Sequence, residues 1–316
     1  MAMQKIRFLF IIALSVLAYF PRPSYGQADW KEVRSMLTAR SEMPAAVLDS
    51  KIYVPGGFGG LDTFEVYDVA TDTWETLAPM PAGRDHLMAT SYEGKIYVFG
   101  GFVRWQPQST AFVYDPTTNE WTALADMPEN RAAGVAVVVD DFIYIVGGVS
   151  DDESVAPPLL RYDPTQDEWT TLAPTSVVRD HLAAVVLDGQ IWAIGGRSTG
   201  VEYHSVEIFD PETGIWETGP SLNVARAGFN AAVIDGKIFA AGGEVFAVCP
   251  NDACPQTLDT VEAYDPETEL WEIITQMPVP LHGVPIASVD NALYVLGGSK
   301  EAGAILNDGR VFVYRP

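Results

Sequence analysis

The sequence predicts an all-β fold in which six repeated units form a closed β-propeller. Two observations lead to this prediction. Six Gly-Gly pairs recur at nearly regular spacing, and the first glycines of successive pairs are 44, 47, 48, 47 and 55 residues apart. A period near 47 residues is in the range of propeller blades. Each period also contains the same order of apolar runs and turns, which predicts four short antiparallel strands per unit. The pairs are Gly56-Gly57, Gly100-Gly101, Gly147-Gly148, Gly195-Gly196, Gly242-Gly243 and Gly297-Gly298.

The four strands of a unit are read from four local patterns. An apolar run such as Val135–Val139 comes first, and a turn such as Asp188-Gly189 follows, because acidic-Gly pairs tolerate positive φ in hairpins. An aromatic-rich run such as Lys95–Phe99 then ends in Gly-Gly. The third strand ends on an aromatic residue before Asp, and a Trp seven residues later marks the fourth strand. These aromatic and Trp residues, which we expect in the core, are Tyr67 and Trp74, Tyr114 and Trp121, Tyr162 and Trp169, Phe209 and Trp216, and Tyr264 and Trp271.

The sixth unit lacks its fourth strand, and the missing piece stands at the other end of the chain. Tyr314 is followed by two residues only, whereas the segment around Trp30 matches the fourth strand of the other units. We therefore expect the N-terminal strand to complete the last blade, which removes the open sheet edges. The predicted propeller spans residues 27–316, with blades at about 38–80, 81–127, 128–175, 176–221, 222–278, and 279–316 plus 28–37.

With its six Gly-Gly pairs, five aromatic-Asp pairs and five regularly placed Trp residues, the chain resembles the kelch-repeat family over roughly residues 28–316. The resemblance implies a six-bladed propeller. It leaves the function open, because kelch propellers include scaffolds, adaptors and enzymes. Copper enzymes of the galactose oxidase type need a Cys crosslinked to Tyr, which this sequence does not match. Exported kelch proteins of the sialic-acid mutarotase type are a closer comparison, although no motif matches residue by residue.

The first 26 residues have the pattern of a secretory signal peptide. Lys5 and Arg7 precede an apolar run of 13 residues, Phe8 to Phe20, and small residues follow. Cleavage is predicted before Gln27, which makes the mature protein secreted or periplasmic. An uncleaved anchor is the alternative, but a spanning helix needs about 20 apolar residues. No later stretch is long enough, so no membrane span is expected after cleavage.

The two cysteines and the net charge narrow the classes of partner. Cys249 and Cys254 are close together in one loop, which predicts a local disulfide in an exported protein; a metal site is the less favoured alternative. The formal net charge is −23, with 42 acidic against 19 basic residues. Such a surface repels phosphate backbones, so nucleic acid is excluded as a partner.

One arginine recurs 16 residues before the first glycine of five units. Its position, at the start of the first strand, lies on the same face of the ring as the loops that follow Gly-Gly; we call this the mouth face. A ring of arginines suits carboxylate or sulfate groups. The alternative is a structural role, in which the arginines bind backbone carbonyl groups. The residues are Arg40, Arg84, Arg131, Arg179 and Arg226, and the sixth unit has Leu281 at this position.

Residues that differ between the units are further candidates for binding. Two units carry an Asp-His pair, and a His beside an Asp can serve as a proton carrier. Retained ancestral residues are the alternative explanation. Trp105 lies outside the repeat pattern, so it is either a platform for a sugar or peptide or packs against a neighbouring loop. Beyond the arginines, the predicted binding residues are Glu42, Asp85, His86, Trp105, Asp180, His181 and His282.

These residues predict binding more strongly than catalysis. Known catalytic motifs are absent, and no metal or cofactor is expected, because we expect the blades to hold the histidines far apart. The preferred hypothesis is an exported recognition module for a protein segment or a glycan at the Arg- and His-lined mouth. The alternatives are an enzyme acting on acidic sugars, with His86 or His181 as acid or base, and a structural propeller of an envelope or matrix.

Overall fold

The structure, a computed structural model, describes residues 30–247 and 254–316. Over these residues it contains strands and turns but no helix, and the strands form six four-stranded antiparallel sheets. The predicted all-β, six-bladed propeller is therefore confirmed. Three additional two-stranded hairpins stand in loops after Gly-Gly.

The strands of each blade follow one another in chain order from the channel outwards, except that the outermost strand of blade 6 comes from the N-terminal side of the chain. Blade 1 contains β2 (Ala46–Leu48), β3 (Lys51–Pro55), β4 (Phe64–Asp68) and β5 (Thr73–Thr76). Blade 2 contains β6 (Met88–Tyr92), β7 (Lys95–Phe99), β10 (Ala111–Asp115) and β11 (Glu120–Ala123). Blade 3 contains β12 (Val135–Val139), β13 (Phe142–Val146), β14 (Leu159–Asp163) and β15 (Glu168–Leu172). Blade 4 contains β16 (Ala183–Leu187), β17 (Gln190–Ile194), β20 (Val206–Asp210) and β21 (Ile215–Gly219); blade 5 contains β22 (Asn230–Ile234), β23 (Lys237–Ala241), β26 (Thr260–Asp265) and β27 (Leu270–Gln276); blade 6 contains β28 (Ile286–Val289), β29 (Ala292–Leu296), β30 (Val311–Tyr314) and β1 (Lys31–Val33). The hairpins pair β8 (Phe102–Val103) with β9 (Gln106–Pro107), β18 (Arg197–Ser198) with β19 (Val201–Glu202), and β24 (Glu244–Val245) with β25 (Gln256–Thr257).

The two ends of the chain close the ring, as predicted. Strand β1 pairs antiparallel with β30, so that Lys31 lies opposite Val313 and Val33 lies opposite Val311. Trp30 stacks on Tyr314 with ring centroids 5.2 Å apart. The last blade therefore gains its fourth strand from the N-terminal side.

The repeated aromatic residues pack between neighbouring blades. Tyr114 and Trp121 of blade 2 have ring centroids 5.2 Å apart, and both contact Phe64 of blade 1. The indole N–H of Trp121 also donates to the carbonyl of Ala78, 3.0 Å away. The other four repeated Trp residues donate in the same way to carbonyls 40 to 51 residues earlier in the chain. Each Trp therefore joins two blades through apolar contact and one hydrogen bond.

The Gly-Gly pairs allow one blade to approach the backbone of the next. In every blade the N–H of the second glycine donates to a carbonyl at the start of the next blade, at 2.8–3.0 Å. One example is Gly148, which donates to the carbonyl of Arg179 at 2.9 Å. A Cβ on the adjacent Gly147 would lie 2.8 Å from that carbonyl oxygen, and φ of Gly147 is +60°. The pair is thus required by close packing and by backbone conformation together.

Substitution of Gly147 by Ala is expected to destabilise the propeller by about 2–4 kcal/mol, because left-handed strain adds to a clash with backbone. The matched control is Gly189→Ala. Gly189 also has a positive φ, +75°, but a Cβ there meets nothing within 4 Å, so its cost is about 1–2 kcal/mol, from the left-handed strain alone. Urea denaturation of both variants measures the difference. Equal losses for the two would show that the approach to Arg179 is unimportant.

Candidate functional site at the mouth of the propeller

Six residues, one per blade, form a closed ring of backbone hydrogen bonds around the channel. Each stands 14 residues before the first glycine of its blade and has φ between +50° and +62°. Its N–H donates to the carbonyl of the ring residue in the preceding blade, at 2.7–2.9 Å, and blade 1 donates to blade 6. The members are Glu42, His86, Ala133, His181, Gly228 and Gly283.

Three of the six ring residues carry polar side chains, and these converge. The donor atoms of Glu42, His86 and His181 all lie within 4.8 Å of one another. The imidazole rings of His86 and His181 are 4.9 Å apart between centroids. The sequence-based expectation that the blades keep the histidines apart is therefore wrong for this pair, because both belong to the ring of backbone hydrogen bonds around the channel.

Each of these imidazoles is oriented by the aspartate that precedes it. Nδ1 of His86 lies 2.6 Å from Oδ1 of Asp85, and Nδ1 of His181 lies 2.5 Å from Oδ1 of Asp180. With the aspartate at Nδ1, Nε2 of each ring is directed into the cluster. Nε2 of His86 is 3.4 Å from Oε2 of Glu42.

A second group of polar residues surrounds the three. Nε2 of His282 donates to the carbonyl of Glu301 at 2.9 Å, and its Nδ1 lies 3.4 Å from Glu42 Oε1 and 3.3 Å from Glu244 Oε2. Arg197 binds Glu244 through Nη1 at 2.6 Å and places Nη2 3.2 Å from Nε2 of His181. The cluster therefore joins residues from five blades.

The residues predicted from the sequence to bind a ligand did not include Arg197 or Glu244. Both directly follow Gly-Gly, where the other blades have Phe58, Phe102, Val149 and Ser299. A charged residue at this position is the signal that could have identified them, because the residue after Gly-Gly bridges to the strand start beside the channel.

Burial and neighbouring charges shift the pKa values of the cluster in different directions. Burial alone would raise the pKa of Glu42, but the neighbouring imidazoles, His86 foremost, lower it far below its ordinary value. Burial and the charge of Arg197 lower the pKa of His181. Burial would also lower the pKa of His282, but Glu42 and Glu244 raise it above 6.5. The cluster thus combines a carboxylate, a neutral imidazole and an imidazole that favours its proton.

A pocket of about 250 Å³ opens above the cluster on the mouth face. Its walls include the aromatic rings of Phe58, Phe102 and Trp105, and its floor includes Glu42, His86 and His181. Trp105 is 65% exposed, with its ring centroid 5.5 Å from that of Phe58. The Trp105 side chain is therefore both in contact with neighbouring loops and open to a ligand.

The five repeated arginines are not presented to this pocket. Their side chains are 0–3% exposed, and each guanidinium donates to the carbonyl of the first glycine in its own blade, at 2.6–3.0 Å. Three also form buried ion pairs: Arg40 with Glu65, Arg179 with Glu207, and Arg226 with Glu262. In this structure the guanidinium groups of Arg40, Arg84, Arg131, Arg179 and Arg226 act as scaffold, and Arg197 supplies the guanidinium at the mouth.

Two sequence predictions fall partly or wholly outside the described residues. The predicted signal peptide, residues 1–26, lies outside them. Cys249 also lies outside, so its pairing with Cys254 stays a prediction. In the described part of the chain, no helix has the length and apolar character needed to cross a membrane.

Comparison with known protein families identifies the family of this chain. Residues 26–178 match the family described as the KLHDC2/KLHL20/DRC7 Kelch-repeats domain, and residues 179–223 and 225–278 match the Kelch motif. The chain belongs to the kelch-repeat family. This kelch protein is also similar in fold to the solved structure of YjhT, with a TM-score of 0.78 and 18% identity over 87% of this chain and 95% of that chain.

Two curated relatives of this kelch protein come from Arabidopsis thaliana. They are the F-box/kelch-repeat proteins At4g39580, 48% identical over 52 residues, and At4g29370, 46% identical over 50 residues. The matches cover 16% and 15% of this chain and only 14% and 13% of those proteins. The likeness is therefore limited to about one blade.

Removal of a repeated arginine is expected to destabilise the fold, to a degree set by its partners. Arg226→Met leaves the carboxylate of Glu262 fully buried without its partner, which costs about 3–5 kcal/mol. Arg84→Met loses hydrogen bonds to the neutral oxygens of Gly100 and Thr110, which costs about 1–3 kcal/mol. Denaturant unfolding tests the order. A stable Arg226→Met variant would contradict the scaffold role.

His282 is expected to make stability depend on pH. Its pKa is raised in the folded protein, so its contribution is complete below about 6.5, the unfolded value, and is lost as pH rises through the folded pKa. His282→Gln should therefore reduce the free energy of unfolding more at pH 5.5 than at pH 9. In a Glu42→Gln background this difference should shrink, because one of the two carboxylates is gone. A loss independent of pH would refute the assignment.

Proposed function

We propose that this kelch protein is an exported recognition module that binds a segment of a partner protein on its mouth face. The kelch propeller fold itself suggests a protein-binding module. Export is supported by the sequence pattern of residues 1–26. The arrangement of exposed apolar side chains on the mouth face carries the proposal.

The loops that follow Gly-Gly expose apolar side chains around the mouth. Of nine large apolar side chains that are exposed in the described part of the chain, six lie in these loops, spread over five blades. By contrast, the turns between the third and fourth strands, on the opposite face, are built on Asp residues such as Asp115 and Asp163 that bind Thr side chains. Two of the six, Trp105 and Ile305, line the pocket above the channel together with Phe58 and Phe102, and apolar side chains gathered at such a concave site mark interaction surfaces. The six are Leu61, Trp105, Val155, Val201, Ile305 and Leu306.

The shape and charge of the mouth indicate the chemistry of the partner. The pocket between Phe58, Phe102, Trp105 and Ile305 has the size of one large apolar side chain. The chain has a net charge of −23, which favours association with basic surfaces. The proposed ligand is therefore an exposed segment with one apolar anchor residue flanked by Lys or Arg.

Selection from a random peptide library displayed on phage tests this proposal. We expect enriched peptides to share an apolar residue with basic neighbours and to bind the purified protein. Trp105→Ala should weaken their binding at least tenfold, the loss expected for a central aromatic contact. Ile215→Ala is the matched control, because Ile215 is also exposed but lies at the start of an outer strand, β21.

Two results would contradict the proposal. One is the absence of any enriched peptide. The other is enrichment of peptides that bind wild type and the Trp105→Ala variant equally, since the mouth would then not be the binding surface. Binding of neutral sugars that depends on Trp105 would favour a glycan instead of a protein segment, because the exposed indole can stack on a sugar ring.

The Asp-His pairs favour an enzyme acting on acidic sugars as the second candidate. Asp85 and Asp180 orient His86 and His181 as they would orient general bases, and the lowered pKa of His181 keeps its imidazole neutral. Arg197 supplies the cationic group that a carboxylated sugar needs. Turnover of an acidic sugar by the purified protein would decide for this candidate over simple recognition.

A further inference from the structure

The floor of the mouth pocket has the composition of a metal site. Two imidazoles and one carboxylate face each other on the ring of backbone hydrogen bonds around the channel, and their donor atoms lie within 4.8 Å of one another. We propose that Glu42, His86 and His181 bind one divalent transition-metal ion of the zinc class, with its remaining coordination position open to the mouth pocket. The site does not depend on the proposed protein partner.

The spacing of the donors fits a tetrahedral ion. Zinc bonds to nitrogen and carboxylate oxygen are about 2.0–2.1 Å long, so that two tetrahedral ligand atoms are roughly 3.3–3.4 Å apart. Nε2 of His86 and Oε2 of Glu42 are 3.4 Å apart. All three donors lie within 4.8 Å of one another, so the longest separation must shorten by at most about 1.5 Å when an ion binds.

The aspartates supply the second shell that metal-binding histidines need. Asp85 and Asp180 lie at Nδ1 of His86 and His181, an arrangement that directs Nε2 of each ring at the site, as carboxylates do behind metal-binding histidines. Nε2 of His86 faces Oε2 of Glu42 at 3.4 Å, so one nitrogen and one oxygen ligand are already held side by side.

The backbone ring makes the donor set rigid. Glu42, His86 and His181 are all members of the closed ring of hydrogen bonds at 2.7–2.9 Å. Their Cα positions are therefore held before any ion binds, which reduces the entropic cost of assembling the ligands. Two imidazoles with one carboxylate favour zinc-class ions over Ca²⁺ and Mg²⁺, which prefer oxygen ligands throughout.

His282, whose Nδ1 lies 3.4 Å from Oε1 of Glu42, opposes a cation when it is protonated, and Arg197 opposes one at every pH. Its Nη2 lies 3.2 Å from Nε2 of His181, and its Nη1 is held by Glu244 at 2.6 Å. An ion must displace the contact to His181 while the contact to Glu244 remains. The surrounding carboxylates outnumber this guanidinium, because Asp85, Asp180, Glu42 and Glu244 all lie in the cluster.

Calorimetric titration of the purified, chelator-treated protein with Zn²⁺ tests the site. We expect one ion per chain, at least tenfold weaker binding in His86→Asn and in His181→Asn, and tighter binding in Arg197→Gln. Asn is chosen because it tolerates the left-handed conformation of these positions. His204→Asn is the matched control, since His204 is exposed in a mouth-face loop outside the cluster.

X-ray absorption of the zinc-loaded wild-type protein does not depend on whether the variants fold. It should show two imidazole ligands. The proposal is overturned if wild type shows no saturable binding, if both His variants retain wild-type affinity, or if fewer than two imidazoles bind the metal. The zinc titration uses no peptide and the peptide selection can be run without metal, so failure of the peptide selection and failure of the metal site are separate results.

Discussion

The ring of six backbone hydrogen bonds at the mouth is the constraint on which the rest of the site depends. Each ring residue donates to one neighbour and accepts from the other, so the polar backbone groups facing the narrow channel are all paired. In this ring every blade contributes one residue in the left-handed conformation, and the ring closes over six blades. The hydrogen bonds from the second glycine of each Gly-Gly pair form a second ring, and they bind the backbone at the start of the next blade.

Within a few residues of each strand start, one position supports the fold and another can contribute to the site. Two positions before each ring residue, the side chain turns into the blade, where Arg40, Arg84 and their equivalents bind the carbonyl of a glycine. The ring residue itself needs only its backbone, as Ala133 and Gly228 show. Its side chain is therefore free to vary between blades, and the residues that differ at this level meet above the channel.

The fold could be predicted from the sequence because short patterns that indicate its strands and turns recur in every blade. The spacing of Gly-Gly, the Tyr and Trp pairs and the displaced strand near Trp30 are all local signals, and the structure confirms the architecture they imply. The site was harder to predict. A position at the strand start specifies the face of the ring but not whether a side chain points into the blade or into the channel. A charged residue directly after Gly-Gly marks Glu244 in the sequence, but its contact with His282 joins neighbouring blades, a relation that no local pattern encodes.

Closure of the backbone ring does not explain the polar cluster. Blades 3, 5 and 6 close the ring with Ala133, Gly228 and Gly283, so ring closure does not require Glu42, His86 or His181. Largely buried carboxylates and imidazoles lose solvation, and the attraction between them often fails to offset that cost. These carboxylates and imidazoles nevertheless lie together at the hydrogen-bonded backbone ring, below a pocket with aromatic walls. A costly, preorganised polar cluster below an accessible pocket is what binding of a ligand or an ion requires, whereas a purely structural propeller would have no use for it.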